Sequence, residues 1–210
     1  MPLSSFNRKL IEALSELYAE MDRQTAEFRR ATGLRCPPGC GQCCETQTPQ
    51  VTVLEMLPAA GELFARGTAD RWLERIASSG EGARCVFYEP DPSIRGNGLC
   101  QFYGFRPSVC RLFGFAGMKD REGRLILQAC RRQKEEMPLL VEKAQEALSK
   151  GGVAPSYDHF FLRLFALEPS LRGDRMPINR ALRLALERYG LMVQLVEAEG
   201  FESEKKGERP

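Results

Sequence analysis

C-P-P-G-C-G-Q-C-C, residues 36–44, is the stretch around which this chain has to fold. It places four thiols within nine residues, at Cys36, Cys40, Cys43 and Cys44. A thiolate is a strong and soft metal ligand, so thiols this crowded predict a metal ion or an iron–sulfur cluster. The remaining thiols lie further along the chain, at Cys85, Cys100, Cys110 and Cys130.

The spacing inside this stretch limits what it can bind by itself. Cys36, Cys40 and Cys43 follow C-x3-C-x2-C, with glycines between them that let the loop curl. Neighbouring residues of an extended segment point opposite ways, so Cys43 and Cys44 are not expected to serve one metal ion symmetrically. One of them faces a second site, or a cluster of several irons takes both. The later cysteines must complete the set, as two four-ligand sites or as one site with redox-active thiols left over.

Composition narrows the class of protein. The 210 residues are 43% hydrophobic and 28% charged, with a net charge of +2, so no nucleic-acid or membrane partner is indicated. Apolar runs fall far short of the ~20 residues that span a bilayer. The first thirty residues carry both charge signs, unlike a secretory signal. We therefore expect a cytoplasmic protein, in which thiols stay reduced and bind metal rather than form disulfides.

Periodicity and composition divide the chain into four parts. Residues 1–33 are an N-terminal amphipathic helix, with a helix predicted over 4–32 and Gly33 as its stop signal. Residues 34–131 are a cysteine-rich metal-binding region, and 132–200 are a C-terminal helical region that packs on the core. Residues 201–210 are charged and predict a disordered tail. The expected fold class is mainly α with a small irregular α+β cysteine-rich metal-binding core.

Shorter signals predict elements inside these parts. Thr52 and Glu55 have the form of a capping box, after which Pro58 is expected to interrupt or restart the helix. A short helix is predicted from Thr68 to Gly80. Short strands are expected at 86–88 and 100–103, and a hairpin at 113–117 and 124–128. The last helices are predicted at 132–150, 156–167 and 177–199, the last with an apolar stripe that packs on its own domain.

Pro107 is expected to open a short helix that contains Cys110. The position of Cys110 near that helix start and beside Arg111 predicts a stabilised thiolate. His159, the only histidine, lies next to two phenylalanines and is interpreted as a packing or surface residue rather than a ligand. The basic run at 131–134 is interpreted as a solvated helix start, with a docking patch for an acidic partner as the alternative.

Several enzyme classes do not fit the sequence. The C-x3-C-x2-C spacing also occurs in radical-SAM enzymes, but there it follows the first strand of a barrel, whereas here a long helix precedes it. Paired C-x2-C knuckles, as in zinc fingers, are missing from the sequence. It also lacks a G-x-G-x-x-G turn, a Walker loop and a nucleophile elbow. Catalytic residues are therefore not assigned, and whether the chain is an enzyme stays open.

The order of three segments carries a family resemblance. C-P-P-G-C-G-Q-C-C is followed by Cys85-Val-Phe-Tyr and then by L-C-Q-F-Y-G-F-R-P-S-V-C-R-L-F at 99–113. Together they resemble the YkgJ-type cysteine-cluster proteins, which are described as zinc- or iron-chelating and often labelled as iron–sulfur proteins. The resemblance implies Arg106, Pro107 and Arg111 as framing residues. It implies as metal ligands Cys36, Cys40, Cys43, Cys44, Cys85, Cys100 and Cys110, and less firmly Cys130.

The resemblance implies a cofactor more directly than a reaction. Thiol-only ligands, nearby aromatic residues and surplus thiols favour an iron–sulfur cluster, with 4Fe-4S first and zinc as the alternative. The expected role is redox, metal handling or a modification step, carried out with a protein partner. A zinc-stabilised adaptor without chemistry is the second hypothesis. The flagellin lysine-N-methylases carry a similar cysteine cluster, so a metal-dependent modifying enzyme is the third.

Overall fold

The computed structural model of the chain describes residues 5–46, 48–171 and 173–207, which are mainly helical. The helices are α1 (Ser5–Thr32), α2 (Gln42–Thr46), α3 (Val53–Ala65), α4 (Ala69–Ser79), α5 (Ser108–Leu112), α6 (Arg131–Glu136), α7 (Pro138–Ser149), α8 (Tyr157–Leu167) and α9 (Ile178–Gly207). The strands are β1 (Gln50–Val51), β2 (Tyr88–Pro90), β3 (Gly98–Cys100), β4 (Gly117–Lys119), β5 (Leu125–Leu127) and β6 (Met176–Pro177). They pair antiparallel as β1–β6, β2–β3 and β4–β5. The expected fold class is confirmed.

Helix α1 forms because its apolar residues recur at helical spacing and meet one side of the fold. Leu10, Leu14 and Met21 are buried along this face. The helix ends at Thr32. The following Gly33 has a φ of +76°, a conformation that glycine adopts at little cost, and its N–H donates to the carbonyl of Arg29. This matches the predicted end of the helix. Its predicted start falls partly on Ser4, outside the described residues.

Helix α3 begins with the predicted capping box. The side chain of Thr52 accepts from the backbone N–H of Glu55, and a carboxylate oxygen of Glu55 accepts from the N–H of Thr52 at 2.8 Å. The helix continues through Pro58, so the predicted interruption does not occur. Proline in a helix interior costs about 3 kcal/mol. Here most residues of α3 are buried, and that burial offsets the cost.

Helix α9 lies against α3 and closes the main body of the fold. Ile178, Leu182 and Ala185 are fully or almost fully buried, and the ring of Tyr189 stacks on Phe64 with centroids 5.1 Å apart. The apolar stripe therefore packs on its own domain. The helix is longer than the predicted 177–199 and runs through Gly207, into the residues expected to form a tail. Glutamate and lysine are good helix formers, so a charged sequence can extend a helix. Residues 208–210 lie outside the described part.

Two other predicted elements differ from the structure. The helix predicted at 132–150 is two helices, because Pro138 has no N–H to donate and the preceding Met137 adopts φ −138° and ψ 48°. The strands predicted at 86–88 and 100–103 pair instead as β2 and β3, with Tyr88 opposite Cys100. The helix from Thr68 to Gly80 and the short helix after Pro107 form as expected. The hairpin also forms, but its first strand is Gly117–Lys119 rather than the predicted 113–117.

Two apolar cores hold the helices together. The main core contains buried residues of α1, α3, α4, α8 and α9, together with the aromatic residues around β2 and β3. The minor core is smaller and contains Phe28, Leu34, Phe115, Leu127, Ala129, Ala144, Leu148 and Ala154. The cysteine-rich segments run along both cores. No helix of the described residues is long and apolar enough to cross a bilayer.

Candidate metal centre

The loop of residues 36–41, called here the first cysteine loop, is joined to residues 96–98 by backbone hydrogen bonds. The N–H of Gly41 donates to the carbonyl of Gly96 at 3.0 Å, and the N–H of Gly98 donates to the carbonyl of Gly39 at 3.0 Å. Cys40 forms an antiparallel bridge with Asn97. A Cβ on Gly41 would lie 2.6 Å from the Tyr88 ring, so only glycine fits there. These contacts place Cys40 beside the hairpin that carries Cys100.

Helix α2 presents the adjacent pair of thiols. It begins after Gly41, whose carbonyl accepts from the N–H of Cys44 at 2.9 Å. Cys43 is exposed, whereas Cys44 is half-buried and packs against the main core. The two Sγ atoms lie 4.0 Å apart. The pair is therefore helical rather than extended, and its members face different surroundings although their sulfur atoms are close.

Cys85 lies in a turn that a residue of α9 holds in place. The side-chain oxygen of Asn179, which is fully buried, accepts from the N–H of Val86 at 3.0 Å. Its amide nitrogen donates to the carbonyls of Ala83 and Arg84 at 3.2 and 3.0 Å. Sequence analysis missed Asn179, because no local pattern links it to a turn more than ninety residues earlier. The only signal in the sequence is a polar asparagine among the apolar residues that begin α9.

Replacing Asn179 by alanine is expected to lower the free energy of unfolding by about 2–3 kcal/mol, because it leaves a buried N–H and buried carbonyls without partners. Urea unfolding of the metal-free protein measures this change. Gln128→Ala, which removes an exposed side-chain bond to the carbonyl of Ile126, is the control and should stay within about 0.5 kcal/mol of the parent. Equal stability of the Asn179 variant and the control would refute the positioning role.

Cys110 lies on α5, which is fixed from two sides. The hydroxyl of Ser108 donates to the carboxylate of Glu55 on α3, and both residues are fully buried. Arg111 forms an ion pair with Asp22 on α1, and its guanidinium lies over the ring of Tyr18 at 4.6 Å. Helices α1 and α3 therefore position the short helix that carries this thiol.

Arg111 and Arg106 play different parts around Cys110. Arg111 donates to the carbonyl of Arg106 at 2.7 Å and to the carbonyl of Gly104, so it braces the loop before α5. Arg106 lies over the ring of Tyr103 at 3.4 Å, and its guanidinium charge lowers the pKa of the nearby Cys43. Of the two framing arginines, Arg111 is a structural brace and Arg106 faces the thiols.

Cys130 caps the first turn of α6. Its Sγ accepts from the N–H of Gln133 at 3.4 Å, and its own N–H donates to the side chain of Gln133 at 2.8 Å. Arg132, on the same turn, donates to the side-chain oxygen of Asn97 at 3.4 Å, and Asn97 forms the backbone bridge with Cys40. Cys130 therefore comes close to the first cysteine loop although it follows that loop by about ninety residues.

The pKa values of the thiols separate Cys43 from the others. The pKa of Cys43 is lowered because it accepts a hydrogen bond from Cys44, whose own pKa is raised by the same bond. Burial raises the pKa of Cys36 to about 11 and that of Cys85 to about 12. Burial also raises the pKa of Cys110, so the stabilised thiolate predicted there is wrong: desolvation outweighs the charge of Arg106, which lowers the pKa.

In metal-free, reduced protein, Cys43 is expected to react first with iodoacetamide, because the thiolate is the nucleophile. A lowered pKa keeps a thiolate fraction as the pH falls below the usual thiol pKa, whereas the raised pKa of Cys36 removes it. Peptide mass spectrometry at pH 7 and pH 8.5 measures the order in which the thiols are labelled. Both pH values lie at or below the usual thiol pKa of about 8.5. Labelling of Cys85 before Cys43 would contradict the expectation.

None of the eight thiols is in a disulfide in the structure. His159 is exposed on α8 and pairs with Arg163, as interpreted from the sequence. Arg131 and Arg132 form ion pairs with Glu135 and Glu136, as expected of a solvated helix start. Among the described residues, no three His, Cys, Asp or Glu side chains are arranged to hold a metal ion.

Comparisons with known proteins agree with this donor set. Residues 35–136 match the model of a family named CxxCxxCC and described as "Putative zinc- or iron-chelating domain". That range contains all eight cysteines. No curated protein and no solved structure matches the chain significantly. The family match supports metal binding through the cysteines.

Proposed function

We propose, from the match of residues 35–136 to the zinc- or iron-chelating family model, that the chain is an iron–sulfur protein with a redox or metal-handling role. The observation that carries this proposal is a thiol-only donor set backed by an aromatic core. Thiolates are the protein ligands of iron–sulfur clusters, and a cluster when bound supplies one-electron transfer. The residues that would hold it are Cys36, Cys40, Cys43, Cys44, Cys85, Cys100, Cys110 and Cys130.

The surroundings of the thiols support iron over zinc. Phe87 and Phe102 follow Cys85 and Cys100 by two residues, and their rings stack with centroids 4.6 Å apart. An apolar shell limits solvent access, which affects redox potential.

Arg106 is suited to tune such a centre. Burial raises the pKa of Cys100 and Cys110, and the charge of Arg106 opposes that rise; with the hydrogen bond from Cys44, the same charge lowers the pKa of Cys43. Arg106 therefore lies near thiols from three segments. A nearby cation favours the thiolate form that binds metal, and positive charge around a cluster also affects its potential. Arg106 therefore supports metal binding without being a ligand.

Zinc is the second candidate, and one distance favours it. A tetrahedral zinc ion with Zn–S bonds of about 2.3 Å holds its sulfur atoms about 3.8 Å apart. The Sγ atoms of Cys43 and Cys44 are 4.0 Å apart, close to that value. A zinc centre would make the chain an adaptor whose metal holds the fold without redox chemistry.

A cleft beside the first loop supports a protein partner. It has a volume of about 490 Å³ and is lined by Arg23, Arg29, Arg30 and Arg35 with apolar residues between them. All four arginines are exposed, and Arg35 directly precedes Cys36. We propose that an acidic surface of a partner docks here and exchanges electrons or metal with the centre, in the cytoplasm, where thiols remain reduced.

Anaerobic purification distinguishes the two metals. The proposal expects a brown protein with visible charge-transfer absorption, and iron and sulfide in about a 1:1 ratio, about four of each per 4Fe-4S cluster. Cys110→Ser should reduce the absorption, whereas Ser78→Ala, at an exposed position that only bonds the carbonyl of Arg75, should leave it unchanged. A colourless protein with stoichiometric zinc would overturn the iron–sulfur proposal and leave the adaptor.

A further inference from the structure

The cleft beside the first cysteine loop carries positive charge that the described part of the chain does not neutralise. Four exposed arginines, called here the cleft arginines, line it: Arg23, Arg29, Arg30 and Arg35. Among the described residues, none of the four forms an ion pair with a carboxylate. Elsewhere on the surface, the exposed Arg66, Arg124 and Arg131 each have a carboxylate partner. The cleft arginines therefore remain available to an anion from outside the chain.

The cleft is a groove along the last turns of α1 rather than a flat patch. Arg23, Ala26 and Arg30 recur at helical spacing and share one face of α1, and Gly33 follows the end of the helix. Ala26 and Gly33 have almost no side chain, so they leave a floor between the longer arginines. From Arg23 to Gly33 the groove is about 15 Å long, at about 1.5 Å per helical residue. An extended chain of about four or five residues has this length.

The cations of the groove suit carboxylates. Arginine binds a carboxylate through two parallel hydrogen bonds, and its planar guanidinium loses less freedom in doing so than the ammonium of lysine. All the basic residues that line the groove are arginines. The guanidinium of Arg29 lies over the ring of Phe115, 5.4 Å from its centroid, and this contact restricts the positions that the guanidinium can take. The groove is therefore partly organised before an acidic group binds.

The lining favours a protein segment over other polyanions. Proteins that bind single-stranded nucleic acid stack the bases on aromatic side chains, and none of the described residues that line the groove is aromatic. Helices that lie on anionic membranes carry large apolar residues beside their basic ones. The large apolar residue in this lining, Leu34, is fully buried and cannot enter a bilayer. An acidic polypeptide needs neither feature.

We propose that this groove binds an extended acidic segment of the partner, with its carboxylates paired to the cleft arginines. The inference rests on the partner docking proposed above and specifies what docks: a linear segment of about four or five residues rather than a folded acidic surface. Arg35 directly precedes the exposed Cys36, so a segment bound along the groove ends beside the first thiol. The contact is made by arginines, so it does not depend on bound metal.

The test uses a dye-labelled octapeptide of alternating glutamate and glycine. Fluorescence anisotropy measures its binding to the full-length protein, as purified anaerobically and again after metal removal. We expect saturable binding of one peptide per chain in both samples, with an affinity that falls as the salt concentration rises. Arg30→Glu should weaken binding by about tenfold or more, because it places like charges opposite each other.

Arg8→Glu is the matched control for Arg30→Glu. Arg8 is exposed on the same helix, and the same charge reversal there lies about 33 Å from Arg30, at about 1.5 Å per residue. That separation is well beyond the Debye length of about 8 Å at physiological salt, so the dissociation constant should change by less than about twofold. Equal losses in the two variants would overturn the assignment to the groove.

Ala26→Leu distinguishes the groove from a diffuse attraction between charges. Leucine is a good helix former, so α1 is kept, and its side chain fills the floor of the groove without changing the charge. We expect binding to weaken by about fivefold or more through this steric clash. Unchanged binding would overturn the groove, and a single-stranded oligonucleotide or inorganic phosphate that binds as tightly as the peptide would overturn the acidic segment. Peptide binding by protein that contains no metal would support this inference and overturn only the proposed iron–sulfur centre.

Discussion

Cys110→Ser is expected to remove bound metal and to lower the melting temperature of the anaerobically purified protein by more than about 10 °C. A serine hydroxyl is a poor substitute for a soft thiolate, and structural metal binding contributes folding free energy directly. For a chain of this size each kcal/mol shifts the melting temperature by roughly 2–4 °C, so a loss of about 5 kcal/mol is enough. Calorimetry with elemental analysis of the same samples measures both quantities.

The control for this variant is metal-stripped protein. Without metal, the substitution changes only one sulfur to oxygen at a half-buried position. Stripped parent and stripped Cys110→Ser should therefore unfold within about 1 kcal/mol of each other. If the variant keeps the metal content and the melting temperature of the parent, Cys110 is not a ligand.

Arg111→Leu is expected to lower the free energy of unfolding by about 3 kcal/mol, with or without metal. The side chain of Arg111 is 3% exposed, and it donates to Asp22 and to the carbonyls of Arg106 and Gly104. Its removal leaves partly buried carbonyls without donors, at about 1–3 kcal/mol each. Urea unfolding of metal-free protein measures the loss of stability. The urea concentration at the unfolding midpoint should fall, while the dependence of the unfolding free energy on urea concentration stays the same.

Arg131→Leu is the matched control for Arg111→Leu. The side chain of Arg131 is 85% exposed and pairs with Glu135 at 2.7 Å, an arrangement worth little in water. Its replacement should change stability by less than about 0.5 kcal/mol. Similar losses in both variants would show that Arg111 does not brace the loop before α5.

Helices were predictable wherever one strong local signal governed the backbone. The period of α1, the capping box of Thr52 and Glu55, and the stop at Gly33 depend on residues a few positions apart, and the structure has all three. The failures are places where local and tertiary effects compete. Pro58 is tolerated because the helix around it is buried, whereas Pro138 divides a predicted helix at a less buried position.

The cysteines as a group were also predictable, but their environment was not. Crowded thiols identify a metal-binding region from chemistry alone, and the family match covers it. Two features depend on tertiary contacts: the burial that raises the pKa of Cys110, and the hold of Asn179 on the turn before Cys85. Contacts across such sequence separations leave no periodic trace in one sequence.

Metal analysis of the anaerobically purified parent protein tests the central claim most directly. We expect iron or zinc bound stoichiometrically, with all eight thiols protected from iodoacetamide until the metal is removed. Iron accompanied by sulfide would support the iron–sulfur proposal, and zinc alone would support the adaptor. Protein that contains no stoichiometric metal, and whose thiols react freely from the start, would contradict metal binding by the cysteines altogether.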